Sequence, residues 1–212
     1  MTLLQLALDD ISHVDALALL DRVQQDIDIV EIGTPLLMRY GMDIVRDVKK
    51  RFPGVDLLCD AKIMDAAGFE AAMAFDAGAD YVTVLAVTDD LSVAECVRAA
   101  REHGRKVVAD MICVADLAAR ARTLEELGAD VIAVHTGVDQ QARGRTPLQD
   151  LKALAATVSH TPLAVAGGIN RSTAKEYLLH GPSILIVGSG ITGAADPAAE
   201  THALRRILEG AA

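Results

Sequence analysis

The chain has 212 residues, of which 51% are hydrophobic and only 3% aromatic, and its formal net charge is −10. A chain this acidic lacks the basic surface that nucleic-acid binding requires, so we expect no nucleic-acid partner. No apolar segment reaches the length of a transmembrane helix, so we expect no membrane association. The three cysteines have no CxxC spacing, which predicts buried thiols in a reducing, cytoplasmic setting.

Eight short apolar segments alternate with longer amphipathic segments. The predicted strands cover residues 3–9, 27–33, 56–62, 80–87, 106–113, 130–137, 162–168 and 183–190. This alternation predicts parallel strands covered by helices, and eight such units predict an α/β fold of the (β/α)₈ TIM-barrel type. We expect a single domain over residues 1–212, with a loop at 139–150. A doubly wound open sheet is the alternative, because counting strands does not establish that a sheet closes.

Ionisable residues lie near the carboxyl ends of five predicted strands. Residues two apart on a strand share a face, so these side chains are expected to point inward. They are Asp9, Glu31, Asp60 with Lys62, Asp110 and His135. One such residue alone is often a helix cap or a turn former. In a barrel, however, these strand ends meet at one rim, where active sites are built, so the joint pattern predicts an active site.

The residue types at this rim indicate the chemistry. Four carboxylates around one lysine favour Mg²⁺, which prefers oxygen ligands and retains water or substrate oxygens, and Glu31 with Asp60 is the predicted ligand pair. Lys62 is expected to keep its charge and stabilise an oxyanion, because acidic neighbours oppose the neutral amine that a Schiff base needs. His135 is the candidate for proton transfer near neutral pH.

Two glycine-rich segments, "AVAGGIN" over 164–170 and "IVGSGIT" over 186–192, follow the seventh and eighth predicted strands. In barrels, backbone N–H groups at these two places commonly bind phosphate. We therefore predict a small phosphorylated substrate. The predicted phosphate-binding residues are Gly167, Gly168, Gly188 and Ser189.

The segments "QLALD", "VEIGTPL", "DAKIMDAAG", "AGADYVTVL", "HTGVDQQA" and "AVAGGI" together resemble the 3-hexulose-6-phosphate synthases. That family belongs to the orotidine 5′-monophosphate decarboxylase suprafamily, whose Asp-x-Lys-x-x-Asp motif is present as Asp60, Lys62 and Asp65. The resemblance implies a Mg²⁺-dependent barrel homodimer that condenses formaldehyde with D-ribulose 5-phosphate, reversibly, through an enediolate. Such an enzyme serves the ribulose monophosphate pathway of one-carbon metabolism.

The resemblance also implies roles for individual residues. His135 would remove the C1 proton, and Mg²⁺ and Lys62 would stabilise the resulting charge. Asp9 and Asp110 would orient Lys62 and the sugar hydroxyls. Asp65 would reach the site of the partner subunit.

Two alternatives stay open. The 3-keto-L-gulonate 6-phosphate decarboxylases share the motif and the enediolate, but their pattern has Glu, Arg and Thr where this chain has Asp110, Val138 and Ala166. They also have a phosphate-binding Arg where this chain has Ser189, so the departures favour the synthase. A non-catalytic phosphosugar-binding barrel is the second alternative, although a binding protein has no need of a proton-transferring His135.

Overall fold

The computed structural model describes residues 1–210, in which the chain forms eight strands and eleven helices. The strands are β1 (Leu3–Leu8), β2 (Ile29–Ile32), β3 (Asp56–Ile63), β4 (Tyr81–Leu85), β5 (Lys106–Asp110), β6 (Val131–His135), β7 (Leu163–Ala166) and β8 (Ile184–Val187). The helices are α1 (His13–Val23), α2 (Thr34–Tyr40), α3 (Met42–Arg51), α4 (Ala67–Asp76), α5 (Asp90–His103), α6 (Leu117–Leu127), α7 (Val138–Gln141), α8 (Leu148–Ala155), α9 (Ala174–Leu178), α10 (Ser189–Thr192) and α11 (Pro197–Gly210).

All eight strands are parallel and form one closed barrel, in which β1 pairs with β2 on one side and with β8 on the other. Closure confirms the predicted (β/α)₈ barrel and rules out the open sheet. The predicted domain runs to residue 212, and residues 211 and 212 lie outside the described residues. None of the helices in residues 1–210 combines the length and the apolar character that crossing a membrane requires.

The barrel interior changes from apolar to polar along the strands. Toward the amino ends of the strands, a buried apolar cluster fills the interior: Ile29, Leu58, Tyr81, Val108, Val131, Ala133, Ala164 and Ile184. Two residues after five of these, the same inward face carries Glu31, Asp60, Thr83, Asp110 and His135. The alternate strand residues pack outward in a larger apolar cluster shared with the helices. The polar side chains therefore lie at the carboxyl rim, above an apolar floor.

Three aspartates tie strands together at the opposite end of the barrel. Each directly precedes an even-numbered strand and accepts a hydrogen bond from the backbone N–H of the second residue in the odd-numbered strand before it. These bonds are Asp28 to Leu4 at 2.7 Å, Asp80 to Leu57 at 2.8 Å, and Asp130 to Val107 at 2.8 Å. The same aspartate-to-backbone hydrogen bond therefore joins β1 to β2, β3 to β4 and β5 to β6.

Two sequence predictions are wrong in detail. The predicted loop at 139–150 contains most of α7, whose first turn forms when the N–H groups of Gln140 and Gln141 both donate to the carbonyl of Gly137. Of the three cysteines predicted to be buried, Cys113 is exposed. The cause is that β5 ends at Asp110 rather than at residue 113, so this cysteine lies in the following loop.

Candidate active site

Asp60 and Lys62 of β3 form an ion pair inside the rim. The Nζ of Lys62 lies 2.6 Å from Oδ2 of Asp60 and 3.5 Å from Oδ2 of Asp110. Burial by itself lowers the pKa of Lys62, but the charges of Asp60 and Asp110 outweigh burial, so the pKa is raised. Lys62 is therefore a charged ammonium group at neutral pH, which suits it to stabilising an oxyanion.

The backbone of β3 is irregular where it carries these two residues. Lys62 has φ +47°, in the left-handed region that few non-glycine residues adopt, and the register with β4 shifts between Cys59 and Ile63. The N–H of Lys62 donates to Oγ1 of Thr83 at 2.9 Å, and the same hydroxyl donates to Oδ1 of Asp60 at 2.8 Å. Strand alternation predicted a shared face for Asp60 and Lys62 but did not predict this bulge.

His135, the last residue of β6, is held by Asp110 of β5. Its Nδ1 lies 3.0 and 2.9 Å from the two carboxylate oxygens of Asp110, and one of those oxygens also accepts the N–H of Ile112. Burial raises the pKa of Asp110, but the hydrogen bond and charge of His135 and the charge of Lys62 outweigh it, so the pKa is lowered. Because an ionised carboxylate accepts hydrogen bonds, Nδ1 carries the proton and Nε2 is left to act as a base.

Glu31 lies on β2 at the rim, close to the carboxylates of Asp60 and Asp9. Gln5 donates from Nε2 to Oε2 of Glu31 at 2.6 Å. Burial and the charges of Asp60 and Asp9 raise the pKa of Glu31 to about 8. Like charges that are held this close favour binding of a cation, which would relieve their repulsion.

Glu31 and Asp60 stay the predicted ligand pair for a divalent ion. In residues 1–210, no group of three or more His, Cys, Asp or Glu side chains is arranged to hold a metal. A pair of carboxylates suits Mg²⁺, because Mg²⁺ completes its coordination shell with water and substrate oxygens. It suits less well a metal ion that takes all of its ligands from the protein.

Asp9 follows β1 at the solvent edge of the rim. Although the residue is exposed, its carboxylate packs so closely against Gly33 that a Cβ there would lie 2.0 Å from Oδ1. Partial desolvation and the charge of Asp60 raise the pKa of Asp9, while Lys62 and His135 counteract part of that increase. Asp9 therefore belongs to the same electrostatic cluster as the buried residues.

Asp65 is the predicted site residue that the structure leaves outside this cluster. It lies exposed between β3 and α4, where its carboxylate accepts a hydrogen bond from the N–H of Ala66 at 2.7 Å. Near it in sequence, Met64, Phe69 and Met73 are 50%, 71% and 43% exposed. An exposed acid among exposed apolar side chains suits a contact with another subunit better than a role in its own site.

The predicted phosphate-binding residues directly follow β7 and β8, in two glycine-rich segments that contact each other. Gly167 and Gly168 have φ values of +127° and +67°, which side chains rarely tolerate, and a Cβ on Gly167 would lie 2.7 Å from the carbonyl oxygen of Thr136. A Cβ on Gly190, in α10, would lie 2.4 Å from the carbonyl oxygen of Ile169, so the two glycine-rich segments touch. Gly188 and Ser189 begin the second segment, and phosphate binding there stays a prediction.

Three uncharged residues contact the charged cluster and were missed from the sequence: Gln5, Thr34 and Thr83. The hydroxyl of Thr34 lies 2.8 Å from both the carbonyl oxygen and Oδ2 of Asp60. For Gln5 and Thr83 the strand pattern could have predicted an inward position, because Gln5 shares a face with Asp9 and Thr83 lies two residues beyond Tyr81. The sequence prediction rested on ionisable residues, and these three residues are uncharged.

A closed (β/α)₈ barrel whose rim holds a carboxylate cluster, a charged lysine and a carboxylate-bound histidine has the architecture of a barrel enzyme. The profile of the orotidine 5′-phosphate decarboxylase / HUMPS family matches residues 2–204. The chain belongs to that family.

Known proteins resemble the chain over nearly its whole length. 3-hexulose-6-phosphate synthase 2 of Staphylococcus saprophyticus is 44% identical over 206 residues, which cover 97% of each chain. The crystal structure of 3-hexulose-6-phosphate synthase from Salmonella typhimurium is 51% identical, covers 100% of both chains and superposes with a TM-score of 0.98. A 3-keto-L-gulonate-6-phosphate decarboxylase from Vibrio cholerae is 28% identical, with 99% and 98% coverage and a TM-score of 0.85. The resemblance to the synthases is thereby confirmed, and the decarboxylase is a more distant relative.

Proposed function

We propose that the chain is a 3-hexulose-6-phosphate synthase, an aldehyde-lyase that reversibly condenses formaldehyde with D-ribulose 5-phosphate. The observation that carries this proposal is the Asp110–His135 pair beside the charged Lys62, in a chain whose relatives bear that name. We place the enzyme in the cytoplasm, in the ribulose monophosphate pathway of one-carbon metabolism.

The geometry suits His135 to the proton transfer. Its Nε2 would take a proton from C1 of the ketose; the electron pair of that C–H bond would form the C1–C2 double bond of an enediolate as the π pair of the C2 carbonyl moves to its oxygen. Asp110 would stabilise the imidazolium that results, since its ionised carboxylate accepts the hydrogen bond from Nδ1. The C1–C2 π pair would then attack the carbonyl carbon of formaldehyde, the C2 carbonyl would re-form, and the formaldehyde oxygen would take up the proton held by Nε2 of His135.

Lys62 is proposed to stabilise the negative charge of the enediolate oxygens, because its neighbours keep it charged. Mg²⁺ is proposed as the cofactor, held by Glu31 and Asp60, where it would supply positive charge beside the reacting oxygens. The support for this assignment is the raised pKa of Glu31, which reflects its burial and the neighbouring charges of Asp60 and Asp9, both of which a bound cation would offset.

The phosphate of the substrate is proposed to bind to backbone N–H groups of Gly167, Gly168, Gly188 and Ser189. Gly167 and Gly168 have left-handed backbone conformations and no side chain that would cover their N–H groups, and Gly188 likewise has no side chain. Ser189 offers a hydroxyl in place of the arginine that the decarboxylase pattern has there.

We also propose a homodimer in which Asp65 reaches the partner subunit's site. Exposed apolar side chains beside Asp65 support this, because a subunit interface would cover them.

The deciding experiment measures two reactions with the purified protein. Formaldehyde consumption with D-ribulose 5-phosphate is expected to exceed, in kcat/KM, the release of CO₂ from 3-keto-L-gulonate 6-phosphate. Lys62→Ala should lower kcat on the order of 100- to 1,000-fold, because it removes the fixed positive charge. Lys50→Ala, on an exposed residue of α3, is the matched control and should leave kcat unchanged.

Chelation completes this test. EDTA should abolish turnover and Mg²⁺ should restore it. A larger kcat/KM for decarboxylation would identify the decarboxylase, and binding of D-ribulose 5-phosphate without either reaction would identify a non-catalytic sugar-phosphate binder. Undiminished turnover in EDTA would contradict the metal assignment.

A further inference from the structure

We propose that Thr83 is a positioning residue, which stabilises the bulge of β3 and thereby fixes Asp60 and Lys62 in their working arrangement. The catalytic part of this inference rests on the proposed function, in which Asp60 and Lys62 act near the substrate. The structural part, that Thr83 stabilises the bulge, does not depend on it.

The strand register places Thr83 opposite the bulge. Cys59 pairs with Val82 and Ile63 pairs with Val84, so the three residues 60–62 of β3 face the single residue Thr83 of β4. Three residues cannot all pair with one, so the regular strand ladder is interrupted beside the N–H of Lys62. The hydroxyl of Thr83 accepts that N–H at 2.9 Å. Without it, a backbone donor in the barrel wall would be left unsatisfied.

The same hydroxyl also orients the carboxylate of Asp60. A threonine hydroxyl has one proton to donate and lone pairs with which to accept, and the two bonds of Thr83 use both. An N–H can only donate, and an ionised carboxylate can only accept. The proton of Thr83 therefore goes to Oδ1 of Asp60, at 2.8 Å. The side chain is only 5% exposed, so water is poorly placed to replace it.

Thr83 thus connects the backbone of one charged residue to the side chain of the other. Oδ2 of Asp60 contacts Nζ of Lys62 at 2.6 Å, while Oδ1 is held by Thr83. Loss of the hydroxyl would free the carboxylate to rotate and would weaken the left-handed backbone that directs Lys62 to the rim. Groups that hold a reacting residue in this way typically contribute about 10- to 100-fold to activity.

The test compares Thr83→Val, which keeps the shape and removes the hydroxyl, with Thr83→Ser, which keeps the hydroxyl. Thr201→Val is the matched control, because Thr201 is also buried and its hydroxyl donates only to the carbonyl of Pro197 in its own helix, at 2.7 Å. Thr83→Ala replaces Thr83→Val if the latter does not fold.

Two readouts are needed. Hydrogen exchange followed by NMR should show the Lys62 amide exchanging at least about tenfold faster in Thr83→Val, because its acceptor is gone. In the formaldehyde assay, kcat of Thr83→Val should fall about 10- to 100-fold while KM changes less than about twofold. Thr83→Ser should stay within about fivefold of wild type in both readouts, and Thr201→Val should match wild type.

Three results would overturn the proposal: normal Lys62 protection in Thr83→Val, equal losses in Thr83→Ser and Thr83→Val, or an equal loss in Thr201→Val. If the wild-type protein does not consume formaldehyde, the proposed function fails. Hydrogen exchange then still decides whether Thr83 stabilises the bulge.

Discussion

Glu31 is a carboxylate whose surroundings oppose its charge. It lies beside Asp60 and Asp9, and its hydrogen bond from Gln5 offsets only part of their repulsion. Its position at the rim could be predicted from the two-residue period of the strand. Its pKa could not, because that depends on burial in the folded barrel and on Asp60 and Asp9, which come from other parts of the chain. A residue kept in such a place costs stability unless a cation binds there, which is the usual pattern at functional sites.

A pH-dependent stability difference follows from Glu31. Its pKa rises from 4.5 in the unfolded chain to about 8 in the folded protein, so the folded state binds more protons between these values. Wild-type stability should therefore fall as the pH rises toward 8. Glu31→Gln should have nearly wild-type stability at pH 4.5 and be about 1 to 3 kcal/mol more stable at pH 9, measured by urea unfolding in EDTA.

Glu126→Gln, at an exposed position of α6, is the control for this measurement and should change stability by less than about 0.5 kcal/mol at either pH. Mg²⁺ should raise the urea midpoint of the wild type but not that of Glu31→Gln. A variant that is less stable than wild type at pH 9 would contradict an unfavourable charge on Glu31 in the folded protein.

At the scale of elements, the inward apolar residue of β2, β3, β4, β5 and β6 is followed two positions later by a polar one, as Leu58 is followed by Asp60. This pattern could be predicted from the sequence, and every predicted strand is present. The bulge in β3 could not be predicted, because nothing in residues 56–63 indicates that the hydroxyl of Thr83, on another strand, will satisfy the N–H of Lys62. Strand ends were also placed too late, as at β8, which ends at Val187 rather than at residue 190.

The aspartates at the amino ends of the strands support a stability prediction. Asp80 accepts the N–H of Leu57 at 2.8 Å, contacts Nζ of Lys49 at 2.7 Å and pairs with Arg105, and its side chain is only 12% exposed. Asp80→Ala should therefore cost about 1 to 3 kcal/mol, because it leaves the buried N–H of Leu57 without its acceptor and removes the ionic partner of the half-buried Lys49 and Arg105. Urea unfolding measures this cost.

The control for Asp80 is Asp43→Ala. Asp43 forms a 2.7 Å ion pair with Arg46 on the surface of α3, where its side chain is 85% exposed. Surface pairs of this kind contribute little, so a change below about 1 kcal/mol is expected. Equal losses from the two variants would mean that the strand-tying aspartates contribute no more than surface pairs.

At the scale of the whole molecule, barrel closure gathers residues that are far apart in the chain. Lys62, Asp110 and His135 come from three strands and lie within one hydrogen-bonded and ion-paired group. Asp65 is separated from that group, although it lies only three residues beyond Lys62. Asp65 is exposed, as are Met64 and Phe69 near it in sequence, and this exposure supports the proposed contact with a second subunit.

Mixing two inactive variants tests the proposed dimer. Lys62→Ala and Asp65→Ala should each be inactive alone. Co-refolding equal amounts should restore about a quarter of wild-type activity, because half of the dimers are mixed and each mixed dimer has one intact site. Formaldehyde consumption before and after co-refolding measures this. No recovery, with mixed dimers confirmed by native mass spectrometry, would contradict a shared site, and so would a fully active Asp65→Ala.

The sequence by itself determined the α/β class with its eight strand–helix units, the inward face of the strands and the identity of the charged residues at the rim. These features follow from periodicities of two and of about 3.6 residues, which are local properties of a chain. Only the tertiary structure decided how those charges interact: the hydrogen bond between His135 and Asp110, the raised pKa of Glu31 and the connection of Lys62 to Asp60 through Thr83. The physical reason is that each depends on burial and on partners from neighbouring strands, whose distances are set by barrel closure and by the bulge in β3.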